Sequence, residues 1–111
     1  MMEKKSKLDL PAMQVAAGQA CGLLKVLGNQ DRLLLLCQLT QGEFCVSELE
    51  ATLGIQQPTL SQQLGVLREE QLVNTRREGK QIYYSIASTE AMAVLQVLYD
   101  LYCDTSKGDA P

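Results

Sequence analysis

Histidine is absent from this chain, and none of its four cysteines stands in a CXXC pair. The first absence removes the commonest side-chain general base, and the second removes the motif of a small thiol oxidoreductase. No glycine-rich phosphate loop occurs either, so the chain is expected not to be an enzyme, and no cofactor is expected. No apolar run approaches the ~20 residues needed to cross a bilayer, and no signal-peptide pattern precedes the first apolar stretch. The expectation is a cytoplasmic protein with no membrane partner. Repeats and linkers are missing too. With 111 residues and 46% apolar content the chain suits one globular domain over residues 1–111, loose only at residues 1–11 and 105–111, where MMEKKSK and TSKGDAP are polar. An excess of positive charge is also lacking, the net charge being −3.

What is present is a pattern from Val46 to Arg68, VSELEATLGIQQPTLSQQLGVLR. Val46, Leu49 and Leu53 repeat at intervals of 3 and 4, the helical period, and Gly54 stands where a helix leaves through an open or left-handed residue. Pro58 marks a restart, since a first turn tolerates its missing N–H, with Gln57 as the entry residue. Leu60, Leu64 and Leu67 predict the buried face of this second helix. Its other face and entry carry Gln56, Gln57, Thr59, Ser61, Gln62, Gln63 and Gly65, small or amide side chains of the kind that reach base edges and phosphates. Taken alone, that face is equally an ordinary polar surface.

The residues that follow decide between these readings. Leu72, Val73, Thr75 and then Gln81, Ile82, Tyr83, Tyr84, Ser85 and Ile86 are rich in β-branched and aromatic types, with Glu78, Gly79 and Lys80 supplying a turn. A helix-turn-helix followed by a two-stranded hairpin is a winged helix-turn-helix. Arg68 precedes this wing and Arg76, Arg77 and Lys80 gather towards its tip, where they can pair with phosphates of double-stranded DNA. The net charge of −3 opposes DNA binding in bulk, and Glu69, Glu70 and Glu78 dilute the basic patch, so binding is expected to be modest without sequence preference and strongly salt-dependent.

Three more helices are expected around this unit. Ala16, Ala20, Leu23, Leu24 and Leu27 form an apolar stripe ending near Gly28; LLLLCQL, capped by Asn29 or Asp31, is apolar on nearly every side and is expected to be buried. The last helix starts near Ser88 and runs to Cys103, with a stripe of Ala91, Leu95, Leu98, Tyr99 and Tyr102 widened by Met92, Val94, Val97 and Leu101. So much apolar surface needs a cover. A second copy of the chain, docked through the first and last helices, would supply it and give two reading heads, while a first helix folded over it within one chain is the alternative. The fold class is thus mainly α with a β-hairpin wing, four helices, two strands and a last helix, in a homodimer.

LLKVLGNQDRLLLLCQL leading into GEFCVSELEATLGIQQPTLSQQLGVLREEQLVNTRREGKQIYYSI resembles the ArsR family of bacterial winged-helix repressors over about residues 15–103. VSELE, QPTLSQQLGVLRE and the ending LYC look most like its persulfide-responsive members of the BigR and SqrR type and the related HlyU regulators. The resemblance implies a homodimer that binds operator DNA and lets go when its sensor is modified. Metal-sensing members use a Cys-X-Cys pair or Asp and His ligands on the terminal helix. Here Cys45 is followed by Ser47 two residues on and histidine is missing, so no metal site is expected.

Buried cysteine is an ordinary core residue, and from its neighbours Cys21 is expected to be one. Cys45 is open in both directions, since with Cys37 or Cys21 it could form a thiolate site for arsenite, the alternative function. Cys37 and Cys103 match the two sensor thiols of the persulfide-responsive relatives. The resemblance implies that one of them attacks the outer sulfur of a reactive sulfur species such as glutathione persulfide, and that the second closes a bridge of two or more sulfurs that weakens operator binding.

Overall fold

The structure, a computed structural model, describes residues 9–103. The first helix, α1 (Leu10–Leu27), starts where the Asp9 carboxylate accepts the Ala12 N–H at 3.0 Å, with Pro11 in the first turn. Leu10 and Pro11, at the end of the expected loose segment 1–11, are helical; residues 1–8 and the second expected tail, 105–111, lie outside the described part. In α2 (Gln30–Leu39) the Asn29 side chain accepts the Arg32 N–H at 3.0 Å, and Asp31 sits favourably at the positive end of the helix dipole.

A short strand, β1 (Phe44–Cys45), leads directly into α3 (Val46–Leu53), where the Glu48 carboxylate reaches back to accept the Cys45 N–H at 2.9 Å. Gly54 ends α3 at φ 74°, a left-handed position that a residue with a Cβ occupies only at a cost, and its N–H donates to the Glu50 carbonyl. The recognition helix, α4 (Gln57–Glu69), has Gln56 rather than Gln57 as its cap residue and Pro58 in its first turn. The wing consists of β2 (Val73–Glu78) and β3 (Gln81–Ile86), turned at Gly79 with φ 63°. Beyond the wing the Ser88 hydroxyl accepts the Ala91 N–H at 3.0 Å to open α5 (Thr89–Leu98), which widens into one π turn, Tyr99–Cys103.

The sheet has three strands, not the two expected. Its order is β1-β3-β2, all antiparallel, with Phe44 opposite Tyr84 and Cys45 opposite Tyr83. A two-residue strand has no period to read, so its partner across the chain is decided only in three dimensions. Alternation in β2 puts Val73, Thr75 and Arg77 on the side facing the core and Asn74, Arg76 and Glu78 on the other, with Tyr84 and Ile86 packed inward and Tyr83 outward beneath Arg76.

Leu35, Leu36, Leu49, Leu60, Leu64 and Leu67 are fully buried where α2, α3 and α4 converge, so the reading head and its scaffold share one core. Around this core the burial departs from the sequence reading in four places. Of the α1 stripe only Leu27 is buried, joined by Val26, and Leu23 is partly buried against the core, while Ala16, Ala20 and Leu24 are exposed, because α1 packs on the core through its C-terminal end. Cys21, read as a core residue, is exposed for the same reason. On α5, Ala91 and Leu95 are buried but Tyr99 and Tyr102 are in the open. Leu34 of α2 is exposed as well, so the second helix is not buried on every side.

The expectation that no apolar segment reaches the length of a membrane span also needs correction. By length and composition α1, with 18 residues, would suffice, although Gln14, Gln19 and Lys25 break up its apolar letters in the sequence.

Candidate DNA-reading surface and dithiol cleft

On α4 and its entry, Gln56, Gln57, Thr59, Ser61, Gln62 and Arg68 all point to solvent. Leu60, Leu64 and Leu67 hold the opposite face against the core, so the polar face is fixed in orientation by packing rather than by its own contacts. Those contacts are loose: the Ser61 hydroxyl donates to the Gln57 amide oxygen at 3.4 Å, and the Gln57 amide donates to Glu50 at 3.5 Å. Both are long enough to be exchanged for base edges or phosphates without loss. Gln63 differs. It is half-buried on the flank towards α2, and its amide oxygen accepts from Arg32 Nη1 at 2.9 Å.

The four cations proposed from sequence are not equivalent. Arg76 is held by two carboxylates, with Nε and Nη2 on Glu43 at 3.2 and 2.8 Å and Nη1 on Glu78 at 2.7 Å, and it lies 5.0 Å above the Tyr83 ring. The Arg76 hydrogen bonds hold the Glu43 carboxyl below the usual carboxylate range, and the two carboxylates raise the Arg76 pKa in turn. Arg68, Arg77 and Lys80 are exposed and form no ion pair among the described residues. Of the four, these three are the ones whose charge is available to a duplex.

Thus sequence reasoning missed two side chains, Glu43 and Arg32. Glu43 gave no signal, being one acid in a turn. Arg32 gave a faint one, since a guanidinium at the head of NQDRLLLL must find acceptors when its helix packs.

The helix-turn-helix from α3 to α4, its wing and the polar outer face of α4 form a reading head of one known kind, and the comparisons agree. A family model described as bacterial regulatory protein, arsR family, matches residues 29–75. The Biofilm growth-associated repressor of Agrobacterium fabrum is 54% identical over 97 residues, 87% of this chain and 83% of that protein. This chain belongs to the ArsR family. Among solved structures, reduced HlyU from Vibrio cholerae superposes with a TM-score of 0.82 at 41% identity, covering 86% of this chain and all of that one, 100%. The transcriptional repressor BigR from Xylella fastidiosa gives 0.78 at 49% identity, over 82% of this chain and 93% of that one. As an ArsR-family member of the BigR and HlyU kind it is a DNA-binding transcriptional regulator with a winged helix-turn-helix, and the likeness to two repressors places it among the repressors.

An open cleft of about 590 Å³ lies between α2 and the terminal segment. Cys37, near the end of α2, and Cys103, at the end of the π turn, both line it, with Leu34, Met92, Leu95 and Tyr99 forming an apolar wall. Desolvation on the cleft wall pushes the Cys37 thiol above the usual range, and negative charge on Cys103 pushes it further. Leu53, the last residue of α3, lines the same cleft, so its wall is part of the helix-turn-helix itself.

Cys45 and Cys21 are elsewhere. Cys45 is buried, 3.3 Å from the Ser47 hydroxyl, and Cys21 faces outward on α1. Among the described residues, no three His, Cys, Asp or Glu side chains come together in a manner that would hold a metal ion.

Proposed function

We propose that this chain is a homodimeric repressor of operator DNA, acting in the cytoplasm, whose affinity for DNA is set by sulfur chemistry at Cys37 and Cys103. The observation that carries the reading is that both thiols open on one cleft whose wall includes Leu53 of the helix-turn-helix. The dimer reading is supported by Leu10, Met13, Val15 and Leu24 on α1 and by Val97, Tyr99, Leu101 and Tyr102 at the other end, all exposed. A monomer seldom leaves that much apolar surface uncovered.

The chemistry balances in two steps. One cysteine thiolate attacks the outer sulfur of glutathione persulfide, which leaves the cysteine as a persulfide and releases glutathione thiolate. The other thiolate then attacks the sulfur bonded to the first cysteine, closing a disulfide and releasing hydrosulfide. A second persulfide equivalent, taken up before closure, lengthens the bridge by one sulfur. The raised pKa of Cys37 disfavours its thiolate, a cost that proximity offsets once the two thiols react within one cleft. Closing the bridge draws the terminal segment onto α2 and presses on Leu53, so α3 and the turn into α4 shift relative to the partner's reading head. A coupling of about 1–3 kcal/mol changes DNA affinity roughly 5- to 150-fold.

Mass spectrometry after glutathione persulfide treatment tests this. The expected result is a bridge between Cys37 and Cys103, carrying added sulfur where a second equivalent has reacted, with release of an operator fragment, while hydrogen peroxide leaves binding largely intact. A Cys37→Ser variant that still releases DNA on treatment would overturn it. Thiolate sensing of a metalloid such as arsenite draws no support from this geometry, because Cys45 is buried beside Ser47 while Cys37 and Cys103 face the cleft.

A further inference from the structure

Arg76 has each of its three guanidinium nitrogens on a carboxylate, two on Glu43 and one on Glu78, with the Tyr83 ring beneath. A phosphate would be gripped by the same fork of N–H groups. We propose that Glu43 is a specificity-determining residue that occupies the phosphate-binding fork of Arg76 in the free protein, so that the wing engages a duplex only where backbone phosphate displaces it. The proposal rests on DNA binding, not on the sulfur reading.

Three features support this role. The ion pair is exposed, the Arg76 and Glu43 side chains being 48% and 40% accessible, and pairs of this kind are weak enough to exchange for a phosphate. Two carboxylates on one guanidinium leave that face of the wing with a net negative charge, which repels a duplex until one of them leaves. The Tyr83 ring and the pairing of Arg76 opposite Tyr83 across the strands belong to the wing itself, whereas Glu43 belongs to the turn between α2 and β1. Departure of Glu43 therefore frees the fork without unseating the arginine.

The consequence is discrimination. On a random duplex the recognition helix is not seated, no phosphate is held against the wing, and Glu43 keeps Arg76. At an operator the seated helix fixes the wing against the backbone, and exchange follows. Glu43 thereby lowers non-specific affinity more than specific affinity.

The test is a double-mutant cycle on the full-length protein, with binding followed by fluorescence anisotropy against salt. The duplexes are a fragment from directly upstream of its own gene and an unrelated one of equal length. In Glu43→Gln the affinity for the unrelated duplex is expected to rise roughly 3- to 10-fold at ~0.1 M salt, and the slope of log K against log salt to steepen by about 0.9, one added phosphate contact. The upstream fragment gains less, and both gains vanish in the Arg76→Gln background. Gains that persist with Arg76 removed would reduce the effect to bulk charge, and equal gains on both duplexes would remove the role in specificity; either result, or no gain at all, overturns the proposal. The wild-type protein on the upstream fragment reports separately whether DNA is bound at all.

Discussion

Arg32, in the first turn of α2, donates from Nη1 to the Gln63 amide oxygen on α4 at 2.9 Å while its Nε holds the Val26 carbonyl at the end of α1 at 2.7 Å. The third nitrogen, Nη2, reaches the Lys25 carbonyl at 3.4 Å. One half-buried guanidinium thus satisfies carbonyls left over at the end of α1 and ties that helix to the recognition helix. A shift of α1 against a partner subunit would reach Gln63 through this side chain.

Arg32→Lys should be poorly tolerated, because an ammonium keeps the charge but lacks the fork that serves Val26 and Gln63 together. The expected loss is about 1–3 kcal/mol, from charge-assisted hydrogen bonds to partly buried acceptors. Urea denaturation should show a lower midpoint at unchanged slope. A variant as stable as the parent would mean that the tie carries no energy.

Gly54→Ala forces a side chain into the left-handed conformation that ends α3. A loss of about 1–2 kcal/mol is expected. The space around Gly54 is open, so the cost is conformational rather than steric. Thermal melts of Gly54→Ala beside Gly65→Ala, which also meets open space but sits in the middle of α4, separate the two: only the first should fall markedly.

The reactivity of Cys37 should depend on Cys103 with a definite sign. Both burial and the charge of Cys103 favour the protonated thiol at Cys37, so its alkylation by iodoacetamide should switch on above the usual thiol range of pH. In Cys103→Ser the charge contribution disappears and the midpoint should move down, though not all the way, because burial remains the larger cause. A midpoint that stays put, or rises, would separate the two sulfurs.

Val97 and Leu101, 55% and 68% exposed on the terminal segment, are the positions where a charge should break a dimer without disturbing the core. Val97→Glu and Leu101→Glu are each expected to shift sedimentation towards the monomer and to weaken operator binding at least tenfold, since two half-sites would no longer be held together. Unchanged sedimentation in both variants would place the dimer contact elsewhere.

Much of the fold was legible because its signals are local. The intervals of Val46, Leu49 and Leu53, the break at Gly54 and the restart at Pro58 are consequences of helical period and of backbone conformations that only certain residues accept. The wing was legible through its β-branched and aromatic residues and its Gly79 turn. β1 was not, because two residues carry no alternation, nor was the exposure of Cys21, because an apolar face does not say what covers it. The surface of α4 was half-legible: its polar residues were evident, but Gln63 is engaged by an arginine 31 positions earlier.

The sequence by itself determined a reading head and its order of helices and wing, since each depends on neighbours within a few residues or on motif spacing. Only the tertiary structure decided which charges are free and which residues meet. Glu43 and Arg76 are 33 positions apart, and Cys37 and Cys103 are brought to one cleft between α2 and the terminal segment. Ion pairs and thiol pairs act through distance in space, and that distance is set by the burial of Leu35, Leu36, Leu60 and Leu64, not by anything written beside the residues that use it.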